Sequence, residues 1–264
     1  EKGMYSIIQA LTKLAQEEGI RFYFNQKVEA LRILNSKVTH VHTGGKDYSY
    51  DGVVSDVDVF TLYKDILGQS TPRLLQRQEL SSSALIFYWG MACQSPGLDV
   101  HNILFSKDYK AEFDAIQSGA FYADPTVYIF ISSKTVAGDA PQGKENWFVM
   151  LNVPPDNGQD WDEFVRLARK AVEEKIYRLL GIDAKAHRET EHIRAPKDIQ
   201  HLTGADKGAL YGPSSNRPLS AFLRHRNKSR QYPNLFLTGG SVHPGGGIPL
   251  CLASAKIVAD EIGK

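Results

Sequence analysis

The residues best suited to chemistry lie near the end of the chain. Five of the nine residues from 239 to 247 are glycine, between a predicted strand over 234–238 and a helix that Pro249 can open. Glycines let a ligand approach the backbone, and a helix N-terminus offers N–H groups and partial positive charge. The pattern predicts a loop that holds a phosphate or a cofactor. The alternative is a surface loop that binds nothing, since this is not the GxGxxG fingerprint.

His243 lies inside this glycine-rich loop. A histidine between a strand end and a helix start can act on a bound ligand as an acid, a base or an orienting group. It can equally fix the turn through hydrogen bonds, and the sequence leaves both roles open. Cys251, in the first turn of the following helix, could be activated there, but a packed thiol is the simpler interpretation.

A basic stretch without acids surrounds the loop. Between Lys207 and Ala259 there are seven Lys or Arg residues and no Asp or Glu. This stretch could attract a cofactor diphosphate or anionic lipid headgroups, or it could be a solvated basic loop. Arg217 is the better single candidate for a site residue, with a plain surface arginine as the alternative. Four of the seven basic residues are close together in sequence and are called the basic cluster: Arg224, Arg226, Lys228 and Arg230.

Other polar and aromatic side chains are expected to have structural roles. His40 and His42 share one face of a predicted strand and supply two metal ligands at most, so we predict no metal site. Asp56 and Asp58 are expected to cap a helix rather than to form a catalytic pair. The aromatic run from Phe87 to Trp89 is expected in the core of a sheet.

The elements that position these residues follow from the spacing of apolar side chains. Strands interleaved with a few helices predict an α+β arrangement, with one face of the sheet open. The helix after the glycine-rich loop is predicted to use Ala255, Val258 and Ile262 as its apolar face. In chain order we predict helices over 4–18, 108–117 and 160–180, and strands over 20–24, 28–34, 38–42, 46–50, 53–55, 83–93, 127–132 and 147–153.

Composition limits the class of protein. The 264 residues carry 31 Lys or Arg against 30 Asp or Glu, which is typical of a globular chain of one or two domains and argues against a surface that coats nucleic acid. Two cysteines exclude a disulfide-stapled scaffold. No apolar run reaches the ~18 residues of a membrane span, and no signal-peptide pattern is present. We therefore expect a cytoplasmic protein.

The segment from Thr238 to Pro249 closely resembles the C-terminal flavin motif of the bacterial-type phytoene desaturase family, which includes carotenoid desaturases and isomerases and the related retinol saturases. Three further segments, over 3–28, 53–58 and 195–212, are similar to parts of the same family. The chain departs from the family pattern in three places. Asp56 replaces a commoner Asn, Val242 replaces a usual Thr, and Leu250-Cys251 replaces a usual Gly-Val, so that Leu250 could narrow the space beside the flavin.

The resemblance implies a two-domain FAD-dependent oxidoreductase of the glutathione-reductase-like type, of mixed α/β and α+β class. In that family an N-terminal βαβ unit with a GxGxxG loop precedes the step seen here at Gly3-Met4. We therefore expect this chain to be the C-terminal portion without that unit. The expected division is a partial FAD-binding domain over 1–62, a mixed-sheet substrate-binding domain over 63–225 and a C-terminal FAD-binding segment over 226–264.

The resemblance also implies site residues and a reaction. Hydride would pass between an allylic carbon of a polyisoprenoid such as a carotenoid and the flavin, with His243 as the catalytic candidate. A water-insoluble substrate implies peripheral contact with a membrane. The alternatives are a fragment that cannot bind FAD alone, or a flavoenzyme like retinol saturase or amine oxidase. The implied FAD contacts are the backbone of Val28 at the adenine, Gly240 and Ser241 by the ribityl-pyrophosphate, and Gly247, Ile248 and Pro249 under the pyrimidine edge, with Gly239 as a further cofactor-binding residue.

Overall fold

The computed structural model describes residues 3–214 and 223–263. A π-helical turn, Leu62–Ile66, continues directly from the short helix Val59–Thr61. The helices are α1 (Tyr5–Glu17), α2 (Val59–Thr61), α3 (Arg73–Gln76), α4 (Tyr109–Ser118), α5 (Trp161–Leu180), α6 (Ala184–His187), α7 (Pro196–Thr203) and α8 (Ile248–Ile262). The strands are β1 (Val28–Leu34), β2 (Lys37–Thr43), β3 (Lys46–Ser49), β4 (Val53–Ser55), β5 (Ser83–Met91), β6 (His101–Leu104), β7 (Val127–Phe130), β8 (Glu145–Val153), β9 (Arg188–Arg194) and β10 (Leu235–Leu237).

The N-terminal region confirms one sequence prediction and overturns another. Helix α1 forms as predicted, but none of its residues is buried and its apolar side is exposed. The strand predicted over 20–24 is wrong, because these residues form no ladder and Phe22, Tyr23 and Phe24 are exposed. A strand needs a neighbour to satisfy its backbone hydrogen bonds. No such neighbour lies within residues 3–214 and 223–263.

Two small sheets flank the glycine-rich loop. Strands β1, β2 and β3 form an antiparallel meander, as the sequence predicts. Strand β4 pairs in parallel with β10, so that Val53 lies opposite Leu235 and Ser55 opposite Leu237. This pairing joins segments about 180 residues apart in the chain and brings the carboxyl ends of two parallel strands together.

The largest sheet has five strands in the order β6-β7-β8-β5-β9. Every described pairing in it is antiparallel, so the expected mixed sheet is wrong. The reason lies in the connection through α5. Strands β8 and β9, which this helix connects, run in the same direction, but β5 lies between them and pairs with both in the opposite direction.

The buried apolar residues form two clusters. One cluster combines residues of β1, β2, the turn after β4, and β10, and it includes Val59, Leu62, Leu235 and Val242. The other packs one face of the five-stranded sheet against α5. Tyr63 and Leu75 belong to the first cluster although they follow the expected boundary at residue 62. The three expected segments, with boundaries at 62/63 and 225/226, stay a prediction.

Helix α5 and the sheet beneath it form where the sequence predicts them. The side chain of Asp160 accepts from the N–H of Glu163 at the start of the helix, and Gly181 ends it in a left-handed conformation. Phe87 and Trp89 are buried under α5, which confirms the expected core position. Tyr88 alternates with them and lies on the opposite, open face of the sheet.

The apolar face predicted for α8 is only partly correct. Val258 is buried, but Ala255 and Ile262 are exposed, and Ser254 is the second buried residue of the helix. The reason is that Ser254 contacts Thr238 at the end of β10 through its hydroxyl group, which turns this side of the helix inward. Within the described ranges, no helix combines the length and the apolar character that crossing a bilayer requires.

Candidate functional site

The parallel pair β4 and β10 brings two loops together at one end. The N–H of Thr238 donates to the carbonyl of Ser55 at 2.9 Å, which continues the pairing of β4 with β10 one residue beyond the end of β10. The N–H of Val59 then donates to the hydroxyl of Ser241 at 3.0 Å. The glycine-rich loop and the loop after β4 therefore form one structure at the carboxyl edge of the strands, where ligands bind in open α/β sheets.

Asp58 anchors the loop after β4. Its carboxylate accepts from the N–H groups of Phe60 at 2.9 Å and Thr61 at 3.4 Å, which confirms the expected helix cap. Burial raises the pKa of Asp58 from 3.8 to about 6. The folded protein thus holds a proton on this carboxyl more tightly than an exposed aspartate does.

The segment from Gly208 to Gly212 packs directly on the glycine-rich loop. A Cβ at Gly212, where φ is +61°, would lie 2.7 Å from the Cβ of Ser241. A Cβ at Gly246 would lie 2.2 Å from the ring of Tyr211. Both distances are far inside van der Waals contact, so each position needs glycine for the two segments to meet.

Arg224 lies beneath this contact, and the sequence analysis named it only as one member of the basic cluster. Only 5% of its surface is exposed, so a solvated basic loop is wrong for this residue. The neighbouring basic residues Arg226, Lys228 and Arg230 are exposed. The sequence gives no signal that separates Arg224 from the cluster, because it has the same even-numbered spacing as the three exposed basic residues. The earlier candidate Arg217 lies outside the described residues.

A cavity of about 680 Å³ lies where the glycine-rich loop meets one end of the five-stranded sheet. Gly245, Gly246 and Leu250 line it on the loop side. The residues that lead into β5, over 78–82, and those of α4 line it on the sheet side. Leu250 does contribute to this wall, as expected for a residue that narrows the space beside a ligand.

The loop offers hydrogen-bond donors to a ligand. The N–H groups of Gly246, Gly247 and Ile248 have no acceptor among residues 3–214 and 223–263. A Cβ at Gly247 would meet no atom within 4 Å, so the space beside it is open. Unused donors at a helix start, next to open space, fit an anionic or electron-rich group such as a flavin.

Comparison with known proteins identifies the family. A family model described as flavin containing amine oxidoreductase matches residues 1–263. The chain belongs to this family. FAD, the cofactor that the sequence predicts, is thereby confirmed as the cofactor of the fold.

Two relatives agree with the carotenoid branch of this flavin family. The chain is 49% identical over 262 residues to 1-hydroxycarotenoid 3,4-desaturase of Flavobacterium sp. (strain P99-3), covering 98% of this chain and 54% of the relative. It is 31% identical over 272 residues to 4,4'-diaponeurosporene oxygenase of Staphylococcus aureus (strain bovine RF122 / ET3-1), covering 99% and 54%. The chain thus spans about half the length of these curated relatives.

Solved structures confirm the fold of the flavin family. An oxidoreductase from Methanosarcina mazei matches with a TM-score of 0.63 and 11% identity, covering 96% of this chain and 53% of that one. Cyclohexylamine oxidase from Brevibacterium oxydans IH-35A matches with a TM-score of 0.57 and 11% identity, covering 97% and 53%. At this identity the likeness concerns the fold alone.

The remaining site residues occupy different parts of this flavin-family fold. Gly239 packs against Asp56, where a Cβ would lie 3.4 Å from the carbonyl oxygen, and Pro249 stands in the first turn of α8. Val28 begins β1 and packs against the cluster that contains Val242. The backbone N–H of His243 donates to the carbonyl of His225 at 2.9 Å. His243 lines a cleft that is separate from the 680 Å³ cavity, together with the exposed basic residues.

Two further candidates are now placed. Cys251 is half-buried beside the loop, since a Cβ at Gly240 would lie 3.8 Å from its sulfur. His42 contacts Asp47 at 2.6 Å and Glu29 at 3.4 Å on the small meander. Among residues 3–214 and 223–263, no cluster of three or more metal-ligating side chains is present.

Asp58 provides a pH-dependent prediction. Because the folded state raises its pKa from 3.8 to about 6, folding takes up a proton between these values, and stability falls as pH rises from about 4 through about 6. Asp58→Asn removes this titration and keeps an oxygen for the two N–H groups. At pH 7 we expect its free energy of unfolding to exceed that of the unaltered protein by up to about 3 kcal/mol, with little difference near pH 4.

Urea denaturation from pH 4 to pH 8 measures this effect, with Asp51→Asn as the control on an exposed carboxyl. Equal stability of Asp58→Asn and the unaltered protein at pH 7 contradicts the prediction.

Proposed function

We propose that this chain is the C-terminal portion of an FAD-dependent desaturase that oxidises a polyisoprenoid of the carotenoid class. The observation that carries the proposal is the 49% identity to 1-hydroxycarotenoid 3,4-desaturase across 98% of the chain. A bound flavin supplies the redox chemistry by accepting a hydride from the substrate. The protein's part is to hold the flavin, to align the substrate and to exclude water.

For the cofactor, the proposed contacts are the backbone of the glycine-rich loop and the start of α8. The free N–H groups of Gly247 and Ile248, and the open space beside Gly247, support this assignment. Pro249 itself has no N–H to donate and sets the helix start. Gly239, Gly240 and Ser241, in the first part of the loop, are further proposed cofactor contacts. Val28 is the proposed contact at the adenine.

For the substrate, the open face of the five-stranded sheet supports an extended apolar molecule. Its side chains form two rows that cross all five strands, one residue from each strand, in register. None of these positions is buried and none is acidic. The first row is His192, Tyr88, Phe148, Phe130 and His101, and the second is Arg194, Ile86, Met150, Tyr128 and Ile103.

Ring contacts link neighbouring strands within the first row, and Tyr128 of the second row meets Phe148 at 6.3 Å between ring centroids. Tyr88 and Phe148 meet edge to face at 5.4 Å between ring centroids, and the His101 ring stacks on Phe130 at 5.0 Å. Five strands at the usual spacing span about 19 Å. Seven of the ten side chains are aromatic or aliphatic, and a surface of that length suits a long conjugated chain better than a small amine.

The proposed function is tested with the full-length protein reconstituted with FAD. Anaerobic incubation with hydroxylated and plain carotenoids, a retinoid and a set of primary amines is expected to bleach the flavin with carotenoids, with a matching increase in conjugated double bonds in the product. Bleaching by amines alone contradicts the proposal and favours an amine oxidase. The isolated 264-residue chain, which spans 54% of the length of 1-hydroxycarotenoid 3,4-desaturase, is expected to retain no FAD.

His243 is kept as the proposed acid or base of the reaction. Replacing it with glutamine preserves a polar side chain but removes the titrating group, so we expect kcat to fall by about 10²–10⁴-fold with FAD still bound. The control is His225→Gln, which lies at the other end of the backbone hydrogen bond to His243. An unchanged kcat for His243→Gln identifies a histidine that only shapes the turn.

We further propose peripheral contact with a membrane, from which a water-insoluble substrate would be taken. Exposed apolar side chains near the cavity support this, since Leu223 and Leu250 are each 42% exposed. We expect the full-length protein to float with phosphatidylcholine vesicles and the double variant Leu223→Ser, Leu250→Ser to float several-fold less. Leu179→Ser, at an exposed position of α5, is the control. Equal flotation of all three proteins contradicts the proposed patch.

A further inference from the structure

Arg224 is a buried cation that donates hydrogen bonds to three backbone carbonyls on two segments. One terminal nitrogen, Nη1, donates to the carbonyl of Tyr211 at 3.0 Å and to that of Gly240 at 2.8 Å. The other, Nη2, donates to the carbonyl of Pro213 at 2.6 Å. The guanidinium therefore ties the glycine-rich loop to the segment that packs on it.

The second part of the loop, at Gly245, also packs against the side chain of Arg224. Gly245 has a φ of +140°, and a Cβ there would lie 3.3 Å from Nε and 3.4 Å from Cζ of Arg224. The first part of the loop, at Gly240, and the second part, at Gly245, thus contact the same guanidinium group. Burial lowers the pKa of Arg224, which shows that the charge is held at a cost in solvation. The three carbonyls that accept hydrogen bonds from its N–H groups offset that cost.

The hydrogen bond to Gly240 fixes the direction of a whole peptide group. In a trans peptide, the carbonyl and the following N–H point in opposite directions. Since the carbonyl of Gly240 points at Arg224, the N–H of Ser241 points away from it. No acceptor for that N–H lies within the described ranges 3–214 and 223–263.

We propose that Arg224 is a positioning residue for the flavin: it orients the peptide between Gly240 and Ser241 so that the N–H of Ser241 is presented to the cofactor's diphosphate. The inference rests on FAD use by the parent enzyme and is independent of the substrate. Without the guanidinium, this peptide is free to rotate, and the donor is no longer held in place. Lysine is a poor replacement, because one ammonium group cannot reach three carbonyls in a fork.

The test uses the full-length protein as apoprotein, titrated with FAD. Arg224→Lys and Arg224→Gln are both expected to bind FAD more weakly, with a dissociation constant at least tenfold higher than that of the unaltered protein. They are also expected to shift the phosphorus-31 NMR signals of bound FAD, a readout that a loss of global stability does not move. Arg226→Gln, two residues away and exposed, is the matched control and is expected to bind FAD as the unaltered protein does.

Should neither Arg224 variant fold, Gly245→Ala takes their place, since its Cβ presses on the guanidinium. Affinity within twofold of the unaltered protein and unshifted phosphorus signals in the folded variants overturn the proposal. Because no substrate is present, a failure here is distinct from a failure of the proposed carotenoid oxidation. That function fails if FAD binds normally and no carotenoid is oxidised.

Discussion

The parallel pairing of β4 with β10 is the constraint on which the rest of the site depends. Three residues on each side join segments about 180 positions apart, and the entire five-stranded sheet is inserted between them. The pairing costs loop-closure entropy, which the cluster around Leu235 and Leu237 offsets by burying apolar surface. Its result is that the cofactor loop and the cap at Asp58 share one edge.

Contact between the loop and the sheet domain depends on small residues and one large cation. Gly212 and Gly246 allow two backbones to touch, and Arg224 fastens the touching segments through their carbonyls. Glycine at such contacts removes side-chain bulk but adds conformational freedom, which an arginine fork can restrict again. Arg224, Gly245 and Gly246 also line the cavity, so this fastening sets one of its walls.

Sequence reasoning succeeded where periodicity and capping chemistry act locally. Helix α5, its Asp160 cap and its Gly181 end follow from residues within one element. It failed where the outcome depends on a distant partner. The segment over 20–24 has the composition of a strand but no neighbour to pair with, and strand direction in the large sheet depends on β5 lying between β8 and β9. Arg224 was not singled out because its acceptors at Tyr211, Pro213 and Gly240 lie outside its own element, 11 to 16 residues away, where local periodicity gives no information.

The two faces of the large sheet carry different side chains under different physical demands. Alternation along β5 sends Phe87 and Trp89 under α5 and Tyr88 to the open side. The covered face needs close packing and tolerates little change. The open face is free of that demand, so its aromatic residues need another reason to be there. An aromatic row that crosses every strand in register, with no acid among its members, is what an extended apolar ligand requires of a surface, and a helix-covered core requires no such row.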